Sequence, residues 1–184
     1  MKKITSLLLF ALFLLGTLAF TKSDGVWYPF ESKAFGFKVE FPAKPIEKVK
    51  VIDTEQGELN LNLFEYVSKK TNTEPELVYI VSYIEYPTSN INTSDKVQLK
   101  QFYKTEADKL VAKMQGKLIK ETIINLEGFE GAEYRIEIKD GLEFIKMRLY
   151  LINNKLYMVE TVTVTKNEFN KHINRFMNSF KLIK

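Results

Sequence analysis

The chain has 184 residues, 45% hydrophobic, 27% charged and 13% aromatic, with no cysteine, one histidine and a formal net charge of +4. It is too apolar and aromatic to be disordered. Without cysteine it is not a disulfide scaffold, a thiol enzyme, a cysteine-ligated zinc protein or a cysteine-anchored lipoprotein, and its length suits one domain with a core.

Lys2 and Lys3 precede an unbroken apolar run at 7–15, and Thr17-Leu18-Ala19 then offers small residues where a signal peptidase reads. Residues 1–19 therefore match the three-part pattern of an export signal. The competing reading is a retained membrane anchor, because no charge occurs over 4–21, the lower limit of length for a spanning helix. The apolar core of nine residues and the cleavage site favour removal, leaving 20–184 as a single exported domain, periplasmic or extracellular. Removal takes away two lysines and no acid, so 25 basic residues face 23 acidic ones. Such a balance argues against nucleic acid as a partner.

Phe35, Phe37, Val39 and Phe41 alternate with Gly36, Lys38 and Glu40, which predicts a half-buried strand ended by Pro42 and Pro45. Val49 and Val51 predict a short second strand with Glu55-Gln56-Gly57 as its turn, and Leu59, Leu61 and Leu63 predict a third. Residues 69–76 are polar, hold a proline and read as a loop. Residues 77–86 are apolar on both faces, as in a central strand covered on both sides, and Pro87 stops them. Ser94 or Thr93 then caps a helix of about 20 residues ending at Gly116, with Leu99, Phe102, Ala107, Leu110, Val111 and Met114 as its apolar face.

Residues 118–126 are strand-like, and Gly128 and Gly131 punctuate the turn that follows. Ala132, Tyr134, Ile136 and Ile138 alternate with charged residues up to Asp140-Gly141, a two-residue hairpin signal. Pairing Lys139 with Leu142 sets Ile136 against Ile145, Tyr134 against Met147 and Ala132 against Leu149. One face is then apolar throughout, and on the other Glu133 meets Arg148 as a favourable cross-strand pair. Asn153-Asn154 closes the next hairpin. A two-residue loop pairs Leu151 with Leu156 and Tyr150 with Tyr157 but turns Glu160 onto the apolar face; a three-residue loop avoids that, and both remain open. Phe169, Ile173, Phe176 and Phe180 mark a C-terminal helix face. The sum is an α+β fold, a largely antiparallel β-sheet sandwiched by helices.

Chemistry is sparse. His172 is the only histidine, beside an aromatic helix stripe, and no G-x-S-x-G elbow occurs, so a nucleophilic triad and a zinc site both lack parts. No catalytic residues, no metal ligands and no cofactor are expected. Glu127, Glu130 and Glu133 come nearest to a calcium set, but their spacing is not that of an EF-hand loop and a solvated acidic turn accounts for them. Paired carboxylates for glycoside hydrolysis could come from any two of the 23 acids. With the two-residue loop, Glu160 becomes a buried carboxylate of raised pKa, the mark of a general acid; a salt-bridged or edge-exposed glutamate is the ordinary alternative. Residues 33–41 approach an RNA-recognition signature, but Ala34 and Lys38 break it and the aromatics more simply continue a core face. Tyr79, Tyr83 and Tyr86, with Tyr150 and Tyr157 across a hairpin, form a candidate interaction surface, since tyrosine joins rigid contact area to a polar tip. A sheet face covered by a helix is the competing explanation.

These pieces line up with a known pattern. Trp27-Tyr28 is followed by Gly36-Phe37-x-Val39-x-Phe41-Pro42-x-x-Pro45, then Tyr79-x-Val81-x-Tyr83-x-x-Tyr86-Pro87 and Gly116-Lys117-Leu118. Gly128-x-x-Gly131-x-Glu133, Arg148-x-Tyr150-Leu151, Asn154-Lys155-Leu156-Tyr157 and Arg175-Phe176-x-x-Ser179-Phe180-Lys181 complete it. In this order the chain resembles exported bacterial proteins related in fold to PsbP, the extrinsic subunit of photosystem II. The resemblance implies an antiparallel sheet between helices and a noncatalytic accessory or binding role toward a protein or envelope component. It carries over no catalytic residues, and nothing in the motifs ties the chain to photosynthesis. Two alternatives stand beside it: a carboxylate-based hydrolase, and the same module tethered to the membrane by an uncleaved N-terminal helix.

Overall fold

Alternation of apolar and polar side chains sends most of the described residues into strands, and the hairpins between them set the register. A computed structural model of the protein describes residues 26–54, 57–68, 77–87 and 92–183. The expected export signal at 1–19, the expected turn residues 55–56 and the expected loop at 69–76 lie outside the described residues.

Seven strands form the main sheet: β3 (Ile46–Thr54), β4 (Gly57–Val67), β5 (Leu77–Glu85), β6 (Lys117–Leu126), β7 (Phe129–Ile138), β8 (Glu143–Ile152) and β9 (Lys155–Val164). Their order is β3-β4-β5-β9-β8-β7-β6, antiparallel at every junction. Helix α1 (Lys96–Lys113) covers one face, packing Leu99, Tyr103 and Ala107 on Tyr134, Ile136, Met147 and Leu149. The other face is covered by helix α2 (Lys171–Ser179) and a small sheet of β1 (Tyr28–Ser32), β2 (Phe37–Phe41) and β10 (Lys181–Leu182), in the order β1-β2-β10. There Phe37, Val39 and Phe41 point inward, at 0%, 2% and 0% exposure, so they are core rather than base-stacking platforms. The fold is α+β.

The β7–β8 register is the one the alternation predicts: Ile136 opposes Ile145, Tyr134 opposes Met147 and Glu133 opposes Arg148. The strands stop one pair earlier, at Ile138 and Glu143, because Lys139, Asp140 and Gly141 take φ of 51°, 53° and 84°. The β8–β9 ladder resolves the open alternative in favour of the two-residue loop, with Ile152 against Lys155 and Tyr150 against Tyr157. Glu160 consequently sits between Ile80 and Met147, on the face toward α1.

Three local expectations need correction. The cap of α1 is Asp95, not Ser94 or Thr93; its carboxylate accepts from the amides of Val97 (2.9 Å) and Gln98 (3.2 Å). The deepest residues of that helix are Leu99, Tyr103 and Ala107, a strict four-residue step that the broader stripe obscured. Phe169 precedes α2 and is 83% exposed, whereas Ile173, Phe176 and Met177 are buried and Phe180 lies just past the helix end.

Candidate functional site

The sheet face under α2 changes character along the strands. Toward one end it presents Tyr83, Tyr157, Val159 and Tyr150, sealed by the small sheet. Toward the other, β9 continues as Thr161 and Thr163, β8 as Lys146 and Phe144, β7 as Arg135 and β6 as Lys120. Small-sheet cover is replaced there by the segment from Glu168 to Asn174, which arches over a cleft of about 400 Å³. Pockets of this size hold small ligands.

Register fixes the floor of this cleft. Lys120 stands directly opposite Arg135, Arg135 opposite Lys146, and Lys146 opposite Thr161. Opposed residues in an antiparallel ladder share a face, with neighbouring strands about 4.8 Å apart. Three cations and a hydroxyl thus form one row across four strands. Arg135 lies over the Phe144 ring at 4.4 Å and is ion-paired with Glu168. Lys146 meets Glu133 at 3.5 Å, but Glu133 is held more closely by Arg148 at 2.7 Å. Arg148 also donates to the Met177 carbonyl (2.8 Å) and to Asn178 Oδ1 (3.0 Å), fastening the end of α2 to the sheet. Lys120 has no ion-pair partner among the described residues. Thr161 and Thr163 are 1% and 4% exposed, and their hydroxyls have no partner among the described residues.

The residues singled out from sequence sit elsewhere. Tyr79, Tyr83, Tyr150 and Tyr157 are all under 5% exposed, and Tyr86 is 8% exposed on the opposite face. They do not form an exposed surface. Tyr79 meets Phe176 edge-on at 5.2 Å, and the Tyr157 hydroxyl donates to the Phe35 carbonyl at 2.9 Å. Covering the sheet with α2 and the small sheet on one face, and with α1 over Tyr86 on the other, makes these rings core. Glu127, Glu130 and Glu133 diverge: Glu127 accepts from the Leu182 amide, Glu130 approaches Lys96 at 3.5 Å and Glu133 faces the cleft. Among the described residues no group of three or more acidic or histidine side chains converges. His172 packs edge-on against Trp27 at 5.6 Å.

Among the described residues Glu160 is the carboxylate whose proton affinity is distinctly perturbed. Desolvation pushes its pKa from 4.5 up to about 7, partly countered by the positive charge of Lys113. The folded protein therefore holds the proton more tightly than the unfolded chain. The stability this confers is complete below about pH 4.5 and is lost as pH rises through 7. Glu160→Gln is expected to flatten this decline, gaining at most about 3 kcal/mol at pH 8 and little at pH 4. Urea titrations at the two pH values check it; an equal gain at both would assign the effect to packing instead of ionisation.

No family model matches the sequence, and no curated protein matches it. The structure is similar to the solution structure of cyanobacterial PsbP (CyanoP) from Synechocystis sp. PCC 6803, at 15% sequence identity and a TM-score of 0.53, over 92% of this chain and 99% of that one. The fold is that of PsbP.

Within the PsbP fold, the motif residues that carried the resemblance are mostly packing and fastening groups. Arg175 pairs with Glu40 (2.8 Å) and lies over Trp27, while the Ser179 hydroxyl accepts from the Glu40 amide (2.9 Å). The cleft residues Lys120, Arg135, Lys146, Thr161 and Thr163 belong to none of those motifs. Sequence reasoning missed them because each reads as a solvent-facing polar position on an alternating strand. One signal was available: β9 runs Tyr157, Val159, Thr161, Thr163 along one face, an apolar series giving way to hydroxyls in the middle of the sheet.

Proposed function

We propose that this protein is an exported, noncatalytic binding module of the cell envelope, and that the cleft is where it binds. One observation carries the reading: the cleft has hydrogen-bonding groups to spare, while both its carboxylates are committed to cations, Glu133 to Arg148 and Glu168 to Arg135. A general acid or base exchanges a proton near the working pH. Glu160 has such a pKa, but it lies on the α1 face, with the sheet between it and the cleft. That separation counts against a carboxylate hydrolase. The resemblance to exported PsbP-related proteins, with the accessory role it implies, supports the same reading.

Two measurements test it. Mass spectrometry of the mature protein is expected to find a chain beginning at Phe20; one beginning at Met1 would select the tethered form. Cross-linking in envelope extract is expected to yield an adduct that Lys120→Glu abolishes. Lys50→Glu, on the exposed edge strand β3, should leave that adduct intact. An adduct indifferent to Lys120 would remove the cleft from the binding role.

A further inference from the structure

We infer that the cleft recognises an oxyanion, a carboxylate or phosphate group carried on a small apolar body. This rests on reading the cleft as the binding place and names what enters it.

The first argument is the row of like charges. Lys120, Arg135 and Lys146 stand in direct cross-strand opposition on three neighbouring strands. Like charges directly opposite one another destabilise an antiparallel pair. Glu133 and Glu168 offset part of the repulsion, but the five charged side chains of the cleft still sum to one positive charge. A bound anion completes the compensation.

The second argument is the unused hydrogen-bonding capacity. Thr161 and Thr163 are more than nine-tenths buried, line the cleft and carry hydroxyls without a protein partner among the described residues. Arg135 Nε is buried without a hydrogen-bond partner in the same cleft; Glu168 Oε2, the one acceptor-only atom there that likewise makes no hydrogen bond, is already ion-paired with Arg135. A guanidinium nitrogen can only donate, and a hydroxyl can donate, so the complement is a group that accepts several hydrogen bonds at once. Buried polar groups left unpaired are costly, and native proteins retain few of them. A divalent cation has the wrong sign for a floor of lysine and arginine.

The apolar body follows from what borders these groups. Phe144 lies beneath Arg135, and Phe169 and Ile173 close the side toward α2. Phe169 is 83% exposed, a large ring left at the rim where it can close on a ligand. About 400 Å³ suits a single ring bearing an acid group.

The test titrates the purified protein with benzoate, phenyl phosphate and phenol, following backbone amide signals by NMR. Benzoate or phenyl phosphate is expected to shift the signals of Thr161, Thr163 and Lys146 saturably, and phenol to leave them unmoved. The tighter of the two acids identifies carboxylate or phosphate as the natural head group. Thr161→Val with Thr163→Val keeps the side-chain shape and removes the unpaired hydroxyls. It should retain or exceed the parent melting temperature while weakening the acid about tenfold or more. Lys120→Gln, at an exposed position, should weaken it without touching the core. Phenol binding as well as benzoate would overturn the oxyanion inference and leave the cleft a binding place. Silence from all three probes, with the cross-link still dependent on Lys120, would do the same. Silence together with a Lys120-independent cross-link would remove both.

Discussion

Gly131→Ala is expected to cost about 3 kcal/mol or more of folding stability, the largest effect of adding a methyl group at any described glycine. A Cβ at this position falls 2.4 Å from Tyr150 Cδ1 and 2.6 Å from the Leu149 carbonyl oxygen. The carbonyl belongs to the β7–β8 ladder and cannot retreat without opening it. The ring cannot retreat either, because Tyr150 lies parallel to Phe180 at 6.0 Å and Phe180 is stacked on Phe37 at 5.6 Å. Relief at Gly131 therefore displaces either a strand or the aromatic stack that seats the small sheet. Gly128→Ala is the control. Its φ is 99° but nothing stands within 4 Å, so it should cost only about 1 kcal/mol of backbone strain. Urea unfolding of the two variants separates close approach from backbone conformation; equal losses would refute the steric account.

Tyr103→Phe is expected to cost about 2–4 kcal/mol, although it removes a single oxygen. The β7–β8 ladder ends at Gly131–Tyr150, and the next pair along would be Glu130 with Leu151. The Tyr103 hydroxyl fills that missing rung. It accepts from the Leu151 amide (2.8 Å) and donates to the Glu130 carbonyl (2.9 Å). Phenylalanine would leave a buried amide and a carbonyl without partners, the costly direction of hydrogen-bond loss. Burial pushes the Tyr103 phenol from 10.0 up to about 12, so the neutral form is favoured in the fold. The corresponding stability is whole below pH 10 and is lost as pH rises through 12. Denaturant midpoints at neutral pH test the first claim, and accelerated exchange of the Leu151 amide in the variant would locate the defect. A loss below about 0.5 kcal/mol would show that another group takes over the rung.

What could be read from the sequence follows from how locally each feature is determined. The β7–β8 register was legible because the turn, the apolar alternation and the Glu133–Arg148 pair all agree, and each involves residues close in the chain. The β8–β9 register stayed open because Glu160 contradicts the pattern of its own strand, and only α1 decides its surroundings. Strand β1 went unread because Tyr28-Pro29-Phe30-Glu31-Ser32 contains a proline and a short alternation; it exists because β2 offers a partner. Strand β10 has two residues and owes its existence to the same partner. The cleft was illegible for a different reason. Its row of cations is spread over 120, 135 and 146, and only the folded ladder makes them neighbours. The arch from Glu168 to Asn174 then converts an ordinary polar face into an enclosure.

Strand β2 is flanked on one side by β1 and on the other by β10, so a small sheet begun near the start of the described chain is finished near its end. The Glu40 amide and the Ser179 hydroxyl that help close this junction are 139 residues apart. Such long-range closures come late in folding because the entropy of the intervening chain must be spent first. Until α2 and β10 arrive, Phe37, Phe41 and Tyr157 have no lid. A chain that emerges N-terminus first therefore keeps this aromatic face uncovered until residues 171–182 are free to pack on it.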